Sequence, residues 1–144
     1  MIKEFTDKWV KNKKRLQNWF ESIVLDKKVF EEYEFTYENI LRGIVIHVLN
    51  NHIDTEEPSN DIKDFSTNIT VIDDGDYQGT QIFIIHKNCY QPDVSDYFYT
   101  HNYYGSCSGC DTLLGIMLIK NKKEQVKELM QLSLHLIQKF KKFK

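Results

Sequence analysis

The feature that most constrains this fold is a double change in the spacing of apolar residues along the chain. Near the start, the apolar residues Trp9, Leu16 and Phe20 recur at helical spacings. In the strand-like segments between residues 68 and 104, side chains alternate with a period of two, and helical spacing returns after residue 111. Such a pattern separates helical regions from a β region. We therefore expect an α+β fold with N-terminal helices, a small three-stranded antiparallel meander and a long C-terminal amphipathic helix.

The helical regions carry recognisable start and stop signals. Thr6 or Asp7 is expected to cap the first helix, and Thr36 a second helix that ends at the asparagine pair 50–51. The β-branched run GIVIHVL (43–49) could also form a strand, but the flanking cap and stop favour a helix. The C-terminal helix is predicted from the apolar positions Val126, Leu129, Met130, Leu134, Ile137 and Phe140.

The β region is predicted as two hairpins. Strands at 68–72 and 80–86 are joined by DDGDYQG (73–79), in which Gly75 is expected to take a positive φ. A third strand over 95–104 alternates so that its two faces are both rich in aromatic residues. A loop is predicted at 54–61, and 26–33 is expected to be a connector.

Length and composition are those of one globular domain spanning residues 1–144. The chain is 41% hydrophobic and 13% aromatic, has two prolines, and contains no repeat or linker-like tract. The N-terminus has no apolar leader, and the longest apolar run, around 113–119, is far shorter than the roughly 20 residues needed to span a bilayer. We expect a cytoplasmic protein with no membrane partner, whose three cysteines are thiols or metal ligands.

The net charge of −2 is unevenly distributed. Residues 1–15 carry six Lys or Arg against two acids, and residues 120–144 carry eight against two. These basic ends are typical of solvated helix faces, but could also hold an acidic partner or a second subunit of a homodimer. Nucleic acid is not the expected partner, because Arg15 and Arg42 are the only arginines.

The segment YYGSCSGCDTLLGI (103–116) holds three of the six glycines and two of the three cysteines, where a strand gives way to a helix. It could be only a tight connection between the strand and the helix, with Ser108 and Asp111 forming a motif that resembles a capping box. Alternatively, free amides at the helix start, with the Ser106 and Ser108 hydroxyls, could bind an anion or nucleotide while tyrosines stack on its ring.

The cysteines leave two further interpretations open. Cys107-x-x-Cys110 is a half-site for zinc, and His86 and Cys89 could complete a tetrahedron, with His101 as a substitute for His86. The same pair could instead be a thiol site, because a CxxC at a helix start lowers a thiolate pKa. A lone cysteine nucleophile paired with His101 or His86 is a further form of the thiol interpretation, and no other catalytic residues are predicted.

Three segments resemble a family of small uncharacterised proteins of bacteriophages and other viral or bacterial genomes: DYQGTQIFII (76–85), YFYTHNYYGSCSGCDTLLGI (97–116) and KEQVKELMQLSLHLIQKFK (123–141). The resemblance implies a phage-encoded accessory protein acting in the bacterial host cytoplasm. It marks, in this sequence, Tyr77, Gln78, Gly79, Tyr104, Gly105, Ser106, Cys107, Ser108, Gly109, Cys110 and Asp111.

The two marked segments are expected to meet at one edge of the sheet, because the end of the third strand lies near the start of the second in an antiparallel pair. Our leading hypothesis is an anti-defence binding protein that holds a small anionic or nucleotide-like ligand at this place, or blocks a host protein. The alternatives are a small zinc-stabilised interaction module and a thiol enzyme.

Overall fold

The computed structural model describes residues 2–51 and 61–143, and within them the fold is mixed α and β, as predicted. None of the helices in these ranges is long and apolar enough to cross a bilayer. Residues 54–60 of the predicted loop lie outside the described residues. In chain order the elements are α1 (Lys3–Val24), α2 (Lys27–Glu32), α3 (Tyr37–Ile44), β1 (Thr70–Asp73), β2 (Gly79–His86), β3 (Tyr97–Tyr104), α4 (Thr112–Met117), α5 (Lys122–Gln138) and β4 (Lys141–Lys142).

The sheet in the described residues has four strands in the order β1–β2–β3–β4, and every neighbouring pair is antiparallel. The predicted meander is therefore present, but the prediction of three strands is wrong. The fourth strand has only two residues, which pair with Phe98 and Tyr99. Two lysines carry no alternating pattern, so nothing in the local sequence indicated this strand.

The hairpin between β1 and β2 also differs from the prediction. No described glycine has a positive φ, so Gly75 does not adopt the left-handed conformation expected of it. Asp73 and Asp74 instead organise the turn, accepting hydrogen bonds from the backbone N–H groups of Gly75 at 3.0 Å and Thr80 at 2.7 Å. Side chains thus supply the acceptors that a tighter turn would take from the backbone.

Helix α1 buries the face that its periodicity predicts, including Trp9, Leu16 and Phe20. It begins earlier than expected, at Lys3, and its first turn has no side-chain cap. The Thr6 hydroxyl donates back to the carbonyl oxygen of Ile2 instead, so the predicted cap at Thr6 or Asp7 is wrong.

The region predicted as a connector contains the short helix α2. Asp26 caps it by accepting hydrogen bonds from the backbone N–H groups of Lys28 and Val29. None of the residues of α2 is fully buried, so the sequence has no apolar periodicity there that would indicate a helix.

The ambiguous run 43–49 is helical, as preferred, and Thr36 caps α3 by accepting from the N–H of Asn39. Beyond α3 the chain widens into a π-helical segment, Val45–Leu49, that ends at Asn50. Side chains of α1 satisfy carbonyl groups there: the Asn12 amide donates to Val48, and Arg15 donates to Ile46 and Asn50. Because α1 supplies these donors, the wider turn leaves fewer carbonyls without partners.

One face of the sheet and the helices enclose a single apolar core. Phe5 is at its centre, with ring centroids 5.6 Å from Phe65, 5.0 Å from Phe98 and 5.1 Å from Phe140. The Phe5–Phe140 contact joins the start of α1 to the chain just after α5, so these two helices run antiparallel. The opposite face of the sheet carries the alternate residues of β3, namely Tyr97, Tyr99, His101 and Tyr103.

His47, in the π-helical segment, stacks on Trp19 with the ring centroids 5.2 Å apart. Trp19 in turn packs over Gly43, where an added Cβ would overlap its ring. Burial, reinforced by the nearby Arg15 charge, lowers the pKa of His47 to about 4. The folded protein therefore keeps this imidazole neutral at pH values where the unfolded chain protonates it.

We predict that His47 makes the protein less stable as the pH falls from about 6.5 towards 4, because the unfolded state then binds a proton that the folded state excludes. His47→Phe keeps the stack and removes the titration. Urea unfolding at neutral and at acidic pH measures the free energy of unfolding of both proteins. On acidification the wild type should lose about 1 kcal/mol more of this free energy than the variant. This figure is lowered to allow for the partial solvation of the ring. Equal losses in the two proteins would contradict this.

Candidate functional site

The two segments that carry the marked residues meet as predicted. Gly79, the first residue of β2, pairs with Tyr104, the last residue of β3. The loop 105–111 leaves the sheet from this point and leads into α4. The side chains of Tyr77, which is 81% exposed, and Gln78 make no hydrogen bond or ring contact with the loop among the described residues. The backbones of the two segments are thus brought together, but the side chains of Tyr77 and Gln78 do not form a closed pocket with the loop 105–111.

Asp111 holds the loop in place from inside the protein. The residue is only 6% exposed, and its carboxylate accepts four hydrogen bonds. One oxygen, Oδ1, accepts from the Tyr37 hydroxyl at 2.5 Å and from the N–H groups of Leu113 at 3.0 Å and Leu114 at 3.3 Å. The other, Oδ2, accepts from the N–H of Gly105 at 3.0 Å. One side chain therefore joins α3, both ends of the loop and the start of α4.

This arrangement corrects two predictions. Asp111 itself caps α4, so Ser108 is not the cap. The amide groups expected to bind an anionic ligand already donate to a buried carboxylate, and a ligand would have to displace that negative charge. Asp111 consequently anchors the loop and does not line an open ligand site.

Tyr104 closes the β1–β2 hairpin. Its hydroxyl lies 2.5 Å from Asp73 Oδ1 and 2.6 Å from the carbonyl oxygen of Gly75. The hydrogen bond to Asp73 raises the pKa of Tyr104 to about 12 and lowers the pKa of Asp73. The Tyr104 hydroxyl is therefore already hydrogen-bonded within the hairpin. A ligand could stack on the Tyr104 ring but could not accept a hydrogen bond from this hydroxyl.

The two cysteines of the loop lie side by side in one exposed turn, and both are free thiols. The N–H groups of Cys110 and Asp111 donate to the carbonyl oxygen of Cys107 at 3.1 and 3.0 Å, which closes the turn. The Cys107 N–H donates to the Cys110 sulfur at 3.2 Å, and the Cys110 thiol donates to the Cys107 carbonyl oxygen at 3.2 Å. Gly105 makes room for this packing, because a Cβ there would come within 2.6 Å of the Cys110 sulfur.

The turn favours the thiolate form of Cys107. The adjacent Cys110 thiol has the largest effect, followed by the backbone N–H groups of Gly109 and Cys110, and together they lower the pKa of Cys107 below its ordinary value. The neighbouring hydroxyls of Ser106 and Ser108 are exposed and have no hydrogen-bond partner within the described ranges. A Cβ at Gly109 would meet nothing within 4 Å, so the approach to the turn is open at that residue.

The four-ligand zinc site is wrong, because its two halves lie at opposite ends of one hairpin. Gly79, beside the loop, and His86 are seven residues apart along β2, which corresponds to about 23 Å. Cys89 donates to Asp96 at 3.4 Å, and burial together with that carboxylate raises the pKa of its thiol, the opposite of what a metal ligand needs. Substituting His101 does not help: in the described part of the chain, no group of three or more His, Cys, Asp or Glu side chains could hold a metal ion.

The comparisons with known proteins add no identification. A scan against models of protein families finds no match for the chain, and searches of curated proteins and of solved structures find none either. The resemblance to phage proteins therefore stays a prediction from the sequence.

We predict that Asp111→Asn destabilises the protein by about 2 kcal/mol, because an amide group replaces an acceptor and leaves a buried N–H without a partner. Asp26→Asn is the matched control, since Asp26 caps α2 in the same way but is exposed, and asparagine caps equally well. Urea unfolding of both variants measures the difference. Equally small losses would show that the buried network contributes nothing beyond an ordinary cap.

Proposed function

We propose that this protein is a dithiol protein that exchanges Cys107 and Cys110 with a disulfide of a partner protein. The observation that carries the proposal is the exposed turn, which holds two free thiols three residues apart and joined through hydrogen bonds of the Cys110 sulfur to the Cys107 backbone; the pKa of Cys107 is lowered there. The thiolate is the reactive form of cysteine, and accessible thiols of lowered pKa are typical of exchange sites. Of the interpretations left open by the sequence, this one needs only the residues that the turn brings together.

The exchange has two steps. The Cys107 thiolate attacks one sulfur of the partner disulfide, the partner's S–S bond breaks, and its other sulfur leaves as a thiolate. Cys110, after losing its proton to solvent, then attacks the Cys107 sulfur of the mixed disulfide. The Cys107–Cys110 disulfide forms and the partner's second sulfur is released, so the partner disulfide is reduced by two electrons and the dithiol is oxidised.

The geometry supports the other interpretations less well. An anionic ligand would compete with the Asp111 carboxylate for the amides of α4. Zinc would find only Cys107 and Cys110 in this loop, and structural zinc sites use four ligands. Both cysteines are exposed residues, which suits reaction with a large partner.

The biological setting remains as the sequence predicts it. A phage-encoded accessory protein would begin as a reduced dithiol in the bacterial host cytoplasm, and its partner there would carry a transient catalytic or redox-sensing disulfide, because stable disulfides are rare in that compartment. A mixed disulfide would also provide a chemical means of blocking a host protein, as expected of an anti-defence function. The exposed Ser106 and Ser108 flank Cys107 in the turn, and Tyr77 and Gln78 directly precede Gly79, which pairs with Tyr104; all four would contact that partner.

We predict that iodoacetamide at neutral pH alkylates Cys107 several times faster than Cys89, which is half-buried and has a raised thiol pKa. Cys110→Ala should slow the labelling of Cys107, because it removes the largest single cause of the lowered pKa of that thiol. The same variant should accumulate a mixed disulfide with an added aromatic disulfide probe, since the second step cannot follow.

Peptide mass spectrometry assigns each modified thiol, and Cys89→Ala serves as the matched control variant that should behave as the wild type. The proposal is wrong if Cys107 reacts no faster than Cys89 and if Cys110→Ala changes neither its rate nor the lifetime of the mixed disulfide.

A further inference from the structure

A groove of about 770 Å³ runs between α1 and α5, away from the loop 105–111. Its volume falls within the range of roughly 300–1,000 Å³ that is typical of small-molecule sites. Most of its surface is apolar, contributed by Trp9, Leu25, Val126, Met130 and Leu134. Met130 and Leu134 were expected in the core, but both are only partly buried, which leaves apolar surface open to this groove.

Three lysines give the groove its charge. Lys13 comes from α1, and Lys123 and Lys127 are one helical turn apart on α5. All three are exposed, and none makes an ion pair with any residue that the structure describes. Glu21, the one acid among the described residues that line the groove, accepts a hydrogen bond from Gln17 at 3.0 Å.

We propose that this groove binds a single-chain amphiphile with an anionic head, such as a long-chain carboxylate. The alkyl chain would lie on Trp9, Met130 and Leu134, where burial of apolar surface favours binding. The head would be attracted by the unpaired lysines, whose stems can lie along apolar surface while their charges meet the carboxylate. An uncharged chain would gain only the first contribution, and a small anion only the second.

The groove is independent of the dithiol function. None of its lining residues belongs to the loop 105–111 or to the segment 77–79. Failure of one proposal therefore leaves the other standing, and each has its own measurement.

Trp9 provides a direct probe of this site. The chain has two tryptophans, and Trp19→Phe leaves Trp9 alone as the fluorophore. We predict a saturable change in Trp9 emission on adding dodecanoate below its micelle concentration, with one molecule bound per chain. Dodecanol, the uncharged equivalent, should bind more weakly. Calorimetric titration of the wild type repeats the measurement without depending on the Trp19 variant.

The double variant Lys123→Gln with Lys127→Gln should weaken dodecanoate binding about tenfold. Lys11→Gln with Lys14→Gln is the matched control, because it removes the same charge from exposed lysines of α1 outside the groove. Equal affinity in both double variants, or no saturable binding in the wild type, would overturn the proposal. Tighter binding of an acidic amphipathic peptide than of dodecanoate would also overturn it, by making the groove a protein-docking surface.

Discussion

The carboxylate of Asp111 is the interaction on which the candidate site depends. A buried carboxylate is costly unless hydrogen bonds satisfy it, and here the Tyr37 hydroxyl and three backbone N–H groups do so. Those donors come from α3, from the residue that follows β3 and from α4. Once they converge on one side chain, the path of the loop between Gly105 and Asp111 is largely fixed. The exposed turn with its two thiols is the part of the loop that remains on the surface.

The rest of the fold supplies a rigid frame for this anchor. Tyr37 reaches Asp111 because α3 is held against α1 by the phenylalanine-rich core and by the Asn12 and Arg15 hydrogen bonds to the π-helical segment. At the other end, β3 is held by its full-length pairing with β2 and by the hydrogen bond from Thr100 to the carbonyl oxygen of Leu136 in α5. The loop therefore connects two well-supported elements, and its two cysteines are exposed.

Local sequence patterns predicted the parts of the structure that local interactions decide. Periodicity identified the buried face of α1, Thr36 marked the start of α3, and alternation assigned the two faces of β3. Strand pairing alone placed Gly79 beside Tyr104. Weakly patterned elements were missed: α2 buries no residue fully and β4 contains only two lysines.

Contacts between distant residues decided what could not be predicted. Tyr37 and Asp111 are 74 positions apart, and no pattern in either segment indicated that Asp111 turns inward. The spacing of His86 and Cys89 was compatible with zinc, but the hairpin places them at the far end from Cys107 and Cys110. Likewise, apolar periodicity could not show that Met130 and Leu134 would be only partly buried beside three lysines that have no ion-pair partner among the described residues, because that depends on how α1 and α5 pack.

The most direct test of the dithiol proposal is the pKa of Cys107 itself. It can be measured by NMR from the ¹³Cβ chemical shift of labelled cysteine across a pH titration, with Cys107→Ser used to assign the signal. We predict a midpoint below about 8.5, the ordinary value for a cysteine thiol. A midpoint at or above that value would mean that the turn does not stabilise the thiolate, and the dithiol function would lose its physical basis.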